Sequence, residues 1–294
     1  MIDLSQLRVF HAVCQARSFT RAAEAVHLTQ PGVSKHIRQV EEYFGVAMFD
    51  RMGKRVELTE AGAALFEATQ GIMQLVANAE QKIADLKGLH GGRVRLGASF
   101  PIGIYVLPAT LAAFRKKYPE VELALEISLT EEILEKVLAN KLDIGLVSHE
   151  VRDARLAAHE FRTDEMIAIA PAGHGWAKKK RITPRELAQE RVILPSHGAG
   201  TRAVLEERLK QQGITLPEVA DFGNIEGVKR AVEAGLGVSV QAHSGVEREI
   251  AAGYLTGVRL TGIDTTLPYY YVRRKDKHLS NAARAFLEIL QQKK

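Results

Sequence analysis

An all-α region followed by an α/β region is the fold class that the sequence predicts, and three observations carry that prediction. Two short helical patterns separated by a proline lie within residues 18–45, and a long pattern with near-heptad spacing follows residue 59. From residue 93 onward, apolar strand patterns alternate regularly with amphipathic helical ones. Such alternation is typical of a parallel or mixed sheet that helices cover on both faces.

The predicted strands of the second region are residues 94–98, 121–128, 142–148, 165–170, 191–194, 237–241 and 269–273. The predicted helices are residues 104–117, 131–141, 184–189, 201–212, 225–234, 245–251 and 281–292. Gly88, Gly91 and Gly92 precede the first of these strands and interrupt the helical pattern, which predicts a domain boundary there.

Residues 18–45 predict two helices joined by a tight turn. Ser18 is a suitable N-cap for the first helix. Proline is tolerated in the first turn of a helix and not in its middle, so Pro31 marks the start of the second helix, and Gly45 marks its end. The apolar residues that this second helix is expected to bury are Val33, Ile37, Val40 and Phe44.

The opposite face of the second helix is polar. Its side chains are those of Gln30, Ser34, Lys35, His36, Arg38 and Gln39. Such groups can donate to phosphates and form hydrogen bonds with base edges, and a two-helix unit with this face indicates a helix-turn-helix for DNA. An ordinary αα-hairpin with a solvated polar face is the alternative.

Residues 46–58 predict a hairpin with a basic tip. Apolar residues lead into a tip that contains a glycine together with Arg51, Lys54 and Arg55, and an extended pattern follows. This arrangement is typical of the wing of a winged helix, whose arginines can enter a narrow minor groove. A solvated turn is the alternative.

Thr59 begins a predicted helix that continues for about seven turns. Its small and apolar residues recur at steps of three and four: Ala61, Leu65, Ala68, Ile72, Leu75, Ala79, Ile83 and Leu86. So narrow a stripe usually pairs with another helix, and the same helix in a second chain would place two recognition helices on one DNA. Packing along its own domain is the alternative.

Composition sets the class of protein more broadly. A chain of 294 residues can hold two or three domains, and its net charge of +5 is compatible with a polyanionic partner. The single cysteine, Cys14, excludes an intramolecular disulfide and a multi-cysteine zinc site. No apolar leader and no membrane-length apolar run is present, so we expect a cytoplasmic protein with no membrane partner.

Two glycine-containing loops in the α/β region resemble ligand-binding loops. Residues 97–103 and 196–202 each leave a predicted strand and enter a helix, where backbone N–H groups and a positive helix end can meet an anion. They offer the hydroxyls of Ser99 and Thr201, and the second loop adds His197 and Arg202. Ser148, at the end of another strand, falls in the same zone. Glycines that serve only tight turns are the alternative.

No set of residues indicates an enzyme. The sequence contains no G-x-S-x-G motif, no H-E-x-x-H motif and no P-loop, and its ten histidines form no metal-binding pair on a predicted helix. We therefore expect no catalytic residues, no metal and no cofactor.

The motifs together resemble the LysR-type transcriptional regulators. The similarity is ungapped over residues 1–90 and includes the alanine pair Ala22 and Ala23, the TQPGVS turn, Phe49 with Arg51, and TEAG at the start of the long helix. PAGH at 171–174, LDIGLV at 142–147 and GVKRAVEAGLGVS at 227–239 extend it to nearly the whole chain. Within the family, the sequence is most similar to the branch of sulfur-metabolism and carbon-fixation regulators.

The resemblance implies a winged helix-turn-helix at 1–58, a dimerising linker helix at 59–90 and an effector-binding domain at 91–294, shaped like a periplasmic binding protein. Its two lobes would be residues 91–162 with 268–294, and residues 163–267, joined by crossovers near 161–164 and 265–268. The effector would bind between them. Contacts carried over by position are Ser99, Phe100, Pro101, Ile102, Thr130, Ser148 and Thr201. Ser99 and Pro101 stand where some sulfur regulators have threonines; hydroxyls, helix ends and Arg202 still favour a small anion or organic acid.

The expected function is therefore transcription regulation under the control of that effector. Expected contacts with the major groove and its phosphates are Thr29, Gln30, Pro31, Ser34, Lys35 and Arg38, and Arg51, Lys54 and Arg55 would meet the backbone or minor groove. Expected partners are double-stranded promoter DNA, a second copy through the linker helix, a homotetramer, and RNA polymerase. A cytoplasmic solute-binding protein and an α/β enzyme, each with an appended helix-turn-helix, are the alternatives.

Overall fold

The computed structural model describes residues 2–50, 56–85 and 92–292. They belong to two compact units, Met1–Ile83 and Ala84–Lys294. Within the described ranges, no helix is both long enough and apolar enough to cross a membrane.

The first unit contains helices α1 (Leu4–Ala16), α2 (Phe19–Ala25), α3 (Gln30–Phe44) and α4 (Glu60–Asp85). Between α3 and α4, the two-residue strands β1 (Phe49–Asp50) and β2 (Glu57–Leu58) pair antiparallel. Local signals set the ends of α2 and α3. Ser18 Oγ accepts from Arg21 N, Thr29 Oγ1 accepts from Gly32 N, and Gly45 ends α3 with φ 71°.

The core of the first unit confirms most of the predicted apolar face of α3. Val33, Ile37 and Val40 are fully buried. The prediction that Phe44 is buried was wrong, because 44% of this residue is exposed. Phe44 is the last residue of α3, past the reach of the core, and its ring contacts only its neighbour Tyr43 among the described aromatic rings.

Helix α4 packs on this core only through its first turns. Ala61, Leu65 and Phe66 are partly buried against the core. Farther along, Leu75 is 69% exposed and Ile83 is 61% exposed. The middle and end of the predicted stripe are therefore uncovered in the single chain.

The second unit begins with a parallel α/β segment. Strands β3 (Arg93–Ala98), β4 (Glu122–Ile127) and β5 (Ile144–Val147) lie in the order β4-β3-β5, connected through helices α5 (Leu107–Lys117) and α6 (Thr130–Leu138). A π-helical turn, Ile102–Val106, precedes α5. We call this part the first lobe, together with the portions of two later strands that extend its sheet beyond β5.

Two long strands join the first lobe to the second. Strand β6 (Leu156–Pro171) pairs antiparallel with β12 (Thr266–Arg274) over nine residue pairs, from Leu156–Arg274 to Glu165–Thr266. The predicted strand 165–170 covered only the second part of β6. In residues 156–165 only Leu156 and Phe161 are buried, and the exposed side chains are polar, so this part lacks an apolar run. Both expected crossovers fall on this paired ribbon.

The second lobe is built on the later half of β6. The elements in chain order are β7 (Arg181–Ile182), α7 (Pro184–Leu187), β8 (Val192–Leu194), α8 (Gly200–Gln211), β9 (Glu218–Asp221), α9 (Ile225–Glu233), β10 (Ser239–Ala242), α10 (Glu247–Ala251) and β11 (Leu255–Leu260). Strands β10 and β11 flank β6, and β8 pairs parallel with β9. After β12, helix α11 (Asn281–Gln292) returns to the first lobe, where Phe286 contacts Phe114 of α5.

Candidate functional site

The outer face of α3 carries the residues predicted to contact DNA. Gln30, Pro31, Lys35 and Arg38 are exposed, whereas Ser34 is half-buried and accepts a hydrogen bond from Gln30 Nε2 at 3.1 Å. Thr29 is exposed and also caps the helix. Arg51, Lys54 and Arg55 of the expected wing lie outside the described residues.

In the second unit, a cleft forms where four chain segments leave a strand and enter a helix. These segments follow β3, β4, β8 and β9. The lining residues are Ser99, Phe100, Pro101, Ser128, Leu129, Thr130, Pro195, Ala199, Gly200, Thr201, Gly223, Asn224, Ile225 and Gln241. Both lobes contribute, and the position at strand ends is where open α/β folds bind ligands.

Buried hydroxyl groups without partners surround this cleft. Ser99, Thr130, Ser148 and Thr201 are each at most 3% exposed, and among the described residues none of their side-chain oxygens has a hydrogen-bond partner. An unpaired buried hydroxyl costs about 1–3 kcal/mol, and a ligand that bonds to it recovers that free energy. The arrangement is therefore suited to a ligand rich in hydrogen-bonding oxygens.

Helix N-termini supply positive potential at the same place. Helices α6, α8 and α9 begin at Thr130, Gly200 and Ile225, beside or within the lining. The first turns of α6 and α8 have no side-chain cap, so their N–H groups are available to a ligand. Each helix start carries roughly half a positive charge, so converging starts favour an anion.

The expected contacts differ in how they relate to the cleft. Ser99, Phe100, Pro101, Thr130 and Thr201 line it. Ser148 does not line the cleft but lies directly behind Gly200. Ile102 is fully buried in the core of the domain rather than in the lining.

Arg202 is a third expected contact that does not line the cleft. Its guanidinium is buried, donates to Pro195 O at 3.0 Å and to Glu206 Oε1 at 2.7 Å, and lies 3.0 Å from His197 Nε2. Successive side chains on a helix point about 100° apart, so Thr201 and Arg202 cannot share one face. No Asp, Glu, Lys, Arg or His residue is among the described lining residues.

Two amide side chains in the lining, those of Gln241 and Asn224, were not predicted from the sequence. Gln241 ends a predicted buried strand, where a polar residue is itself a signal of function, and it is only 1% exposed. Asn224 precedes α9, and its Oδ1 accepts from the backbone of Glu226 and Gly227. That N-cap pattern could have been recognised from the sequence.

A charged cluster beside the cleft joins the two lobes. Tyr105, on the π-helical turn of the first lobe, donates its hydroxyl to Glu226 of the second. Lys229, 2% exposed, lies 2.8 Å from Glu226 and 2.7 Å from Glu249, with its ammonium 4.9 Å from the centre of the Tyr105 ring. Burial would lower the pKa of Lys229, but its hydrogen bonds to the two carboxylates raise that pKa above the ordinary value. Burial and Glu226 raise the pKa of Tyr105 to about 12.

Family models match both units of the chain. The model described as "Bacterial regulatory helix-turn-helix protein, lysR family" matches residues 4–63, and "LysR substrate binding domain" matches residues 87–294. The chain therefore belongs to the LysR family of transcriptional regulators, and its larger unit is an effector-binding domain of that family.

Similar proteins place the chain near the regulators of carbon fixation. The RuBisCO operon transcriptional regulator of Allochromatium vinosum is 34% identical over 98% of this chain and 95% of its own length. The HTH-type transcriptional regulator CbbR of Sinorhizobium medicae is 36% identical over 98% and 92%. These relatives are named as regulators and not as enzymes, in agreement with the expectation of a non-enzyme.

Solved structures show the same fold. Full-length OxyR of Pseudomonas aeruginosa matches with a TM-score of 0.77 at 23% identity, covering 99% of this chain and 97% of that one. Full-length CbnR complexed with target DNA matches with a TM-score of 0.64 at 21% identity, covering 99% of both chains. The regulatory domain of Synechocystis CcmR in complex with 2-PG matches with a TM-score of 0.64 at 26% identity, covering 68% of this chain and 96% of that domain.

Proposed function

We propose that this regulator binds promoter DNA with α3 and the adjoining basic hairpin, and that a small anion in the cleft between its lobes controls the binding. One observation supports an anion as the ligand: helices α6 and α8 begin at the cleft without side-chain caps, next to buried hydroxyl groups that have no hydrogen-bond partner among the described residues. The RuBisCO operon regulators among its relatives support a carbon-fixation promoter as the target, and the CcmR complex supports 2-PG as a first effector to test.

We further propose boundaries at 58/59 and 90/91, with residues 91–162 and 268–294 forming one lobe and residues 163–267 the other. The exposed stripe of α4, which includes Leu75 and Ile83, supports pairing with the α4 of a second copy, because repeating steps of three and four suit helix pairing. Two such dimers would form a homotetramer, with RNA polymerase as a further partner. Promoter binding implies a cytoplasmic location.

DNA binding is tested with the exposed arginine of α3. Arg38→Ala should weaken binding to RuBisCO promoter DNA and reduce the salt slope by about one unit, because one phosphate contact is lost. Arg115→Ala, which removes an exposed arginine of α5, is the matched control. Fluorescence anisotropy at two salt concentrations measures both. Equal affinity of Arg38→Ala and the control at both concentrations would remove α3 from the interface.

The effector site is tested with the hydroxyl of Thr201. Thr201→Val keeps the shape of the side chain and removes the hydroxyl, so 2-PG should no longer change DNA affinity while basal DNA binding persists. Thr215→Val, at an exposed position of the same domain, is the control. A full response to 2-PG in Thr201→Val would show that the effector binds elsewhere.

A further inference from the structure

The amide of Gln241 is held in one orientation. Ser239 Oγ donates its single proton to Ile193 O, at 2.6 Å, so toward Gln241 this hydroxyl can only accept. Gln241 Nε2 donates to it at 2.9 Å, and both side chains are buried. The chain of bonds therefore fixes Nε2 toward Ser239 and leaves Oε1 as the other end of the amide.

That oxygen is available to a ligand. Gln241 lines the cleft, and among the described residues none donates a hydrogen bond to its Oε1. An amide oxygen can only accept, so it is satisfied by a ligand that carries an N–H or O–H group at this point.

The rest of the lining has the opposite character. Asn224 Oδ1 accepts from the backbone N–H groups of Glu226 and Gly227, at 3.0 and 3.2 Å, so the NH₂ group of this lining amide is the part left to bond with a ligand. The helix starts donate as well, and the hydroxyls can donate or accept. Ser128 Oγ donates its proton to Glu132 and can also only accept, but this residue is half-buried, so among the buried lining side chains that the structure describes Gln241 is the one fixed acceptor.

We propose that Gln241 determines the specificity of the effector site, by selecting anions that also carry a hydrogen-bond donor. This inference rests on the proposed anion site in the cleft. The ligand class is an oxyanion with a protonated oxygen or a hydroxyl group, such as a partly protonated phosphate or a 2-hydroxy acid. An anion of equal shape without the donor would leave Oε1 buried and unpaired, which costs binding free energy.

Phosphate and sulfate provide a direct comparison between an anion that carries a hydrogen-bond donor and one that does not. Both are small tetrahedral anions, but near pH 7 phosphate keeps at least one proton and sulfate has none. Titration calorimetry on the full-length protein should give phosphate about tenfold tighter binding than sulfate. Glycolate against acetate repeats the comparison for organic acids, since they differ by one hydroxyl.

Two variants and one control test the residue itself. Gln241→Met keeps the length of the side chain and removes the acceptor, so phosphate and sulfate should then bind with equal affinity. Ser239→Ala frees the amide to turn and should reduce the preference while both anions still bind; it carries the test if Gln241→Met fails to fold. Gln211→Met makes the same change at an exposed position of α8 and should keep the wild-type ratio.

The outcomes distinguish this inference from the proposed site. If phosphate binds the wild type and Thr201→Val abolishes that binding, but the ratio of phosphate to sulfate affinity survives in Gln241→Met, the role of Gln241 is overturned and the anion site stands. If the wild type binds neither 2-PG nor any of phosphate, sulfate, glycolate and acetate, both the anion site and the role of Gln241 are overturned.

Discussion

Gly200 has no side chain at the point where the start of α8 meets the end of β5. A methyl group added there would lie 2.2 Å from Ser148 Oγ and 3.2 Å from both Ser148 Cβ and His149 Nδ1. Ordinary contact begins near 3.4 Å, so the closest pair must separate by about 1.2 Å. Ser148 is fully buried, which leaves little room for its side chain to turn away.

We therefore expect Gly200→Ala to move the start of α8 away from the first lobe. Overpacking of this kind costs about 1–3 kcal/mol. Because the clash opposes the lobe arrangement that forms the cleft, phosphate or 2-PG should bind about 5–150-fold more weakly. DNA binding without effector should be unchanged. Titration calorimetry measures the first quantity and fluorescence anisotropy the second.

Two comparisons make the result specific. Gly175→Ala, where the new methyl group has nothing within 4 Å, should bind the effector normally. Adding Ser148→Ala to Gly200→Ala removes the closest atom and should restore most of the lost affinity. Wild-type affinity in Gly200→Ala alone, or no recovery in the double variant, would refute the steric argument.

Three further predictions concern assembly and stability. Leu75→Glu should dissociate the α4-mediated dimer in light-scattering measurements, whereas Gln70→Glu on the same helix should not; a dimeric Leu75→Glu would exclude this stripe as the contact. Lys229→Met removes the cation that pairs with Glu226 and Glu249; because Glu226 is 44% exposed and keeps the hydrogen bond from Tyr105, we expect a loss of only about 2 kcal/mol, or a fall of about 4–8 °C in the melting temperature. Burial would raise the pKa of Asp143, but Arg95 and Lys277 lower it below 3.8, so its stabilising effect exists at neutral pH and is lost as the pH falls from about 4 through the lowered pKa. Circular dichroism during acid titration should therefore show a smaller acid-induced loss of stability for Asp143→Asn than for the wild type.

The ends of α3 were predictable because neighbouring residues determine them. The cap at Thr29, the proline in the first turn and the left-handed Gly45 act within a few residues of each other. Strand β11 gave no such signal. A side chain at its Gly257 would lie 2.5 Å from Ile250 Cδ1, so this glycine belongs to close packing within the lobe, but in a sequence a glycine suggests a turn.

In the candidate site, too, features set by neighbouring residues could be predicted, and features set by residues distant in the chain could not. Ser99 and Thr201 could be proposed because each lies between a strand and a helix, a local pattern. The role of Gln241 depends on Ser239 and on the carbonyl of Ile193, which is 46 residues away from Ser239 in the chain. No pattern within a short window encodes that distance, and the direction of Arg202 was equally invisible, because only folding shows what occupies each side of α8.

Helix α11 completes the first lobe although it comes last in the chain, with Phe286 against Phe114 of α5. During translation, the surface of the first lobe that packs against α11 therefore stays exposed until the whole second lobe has been synthesised. The second lobe is continuous in sequence and can close first. Translation order and order of completion are thus reversed, and a premature stop codon ahead of Asn281 would damage the lobe that was made earlier.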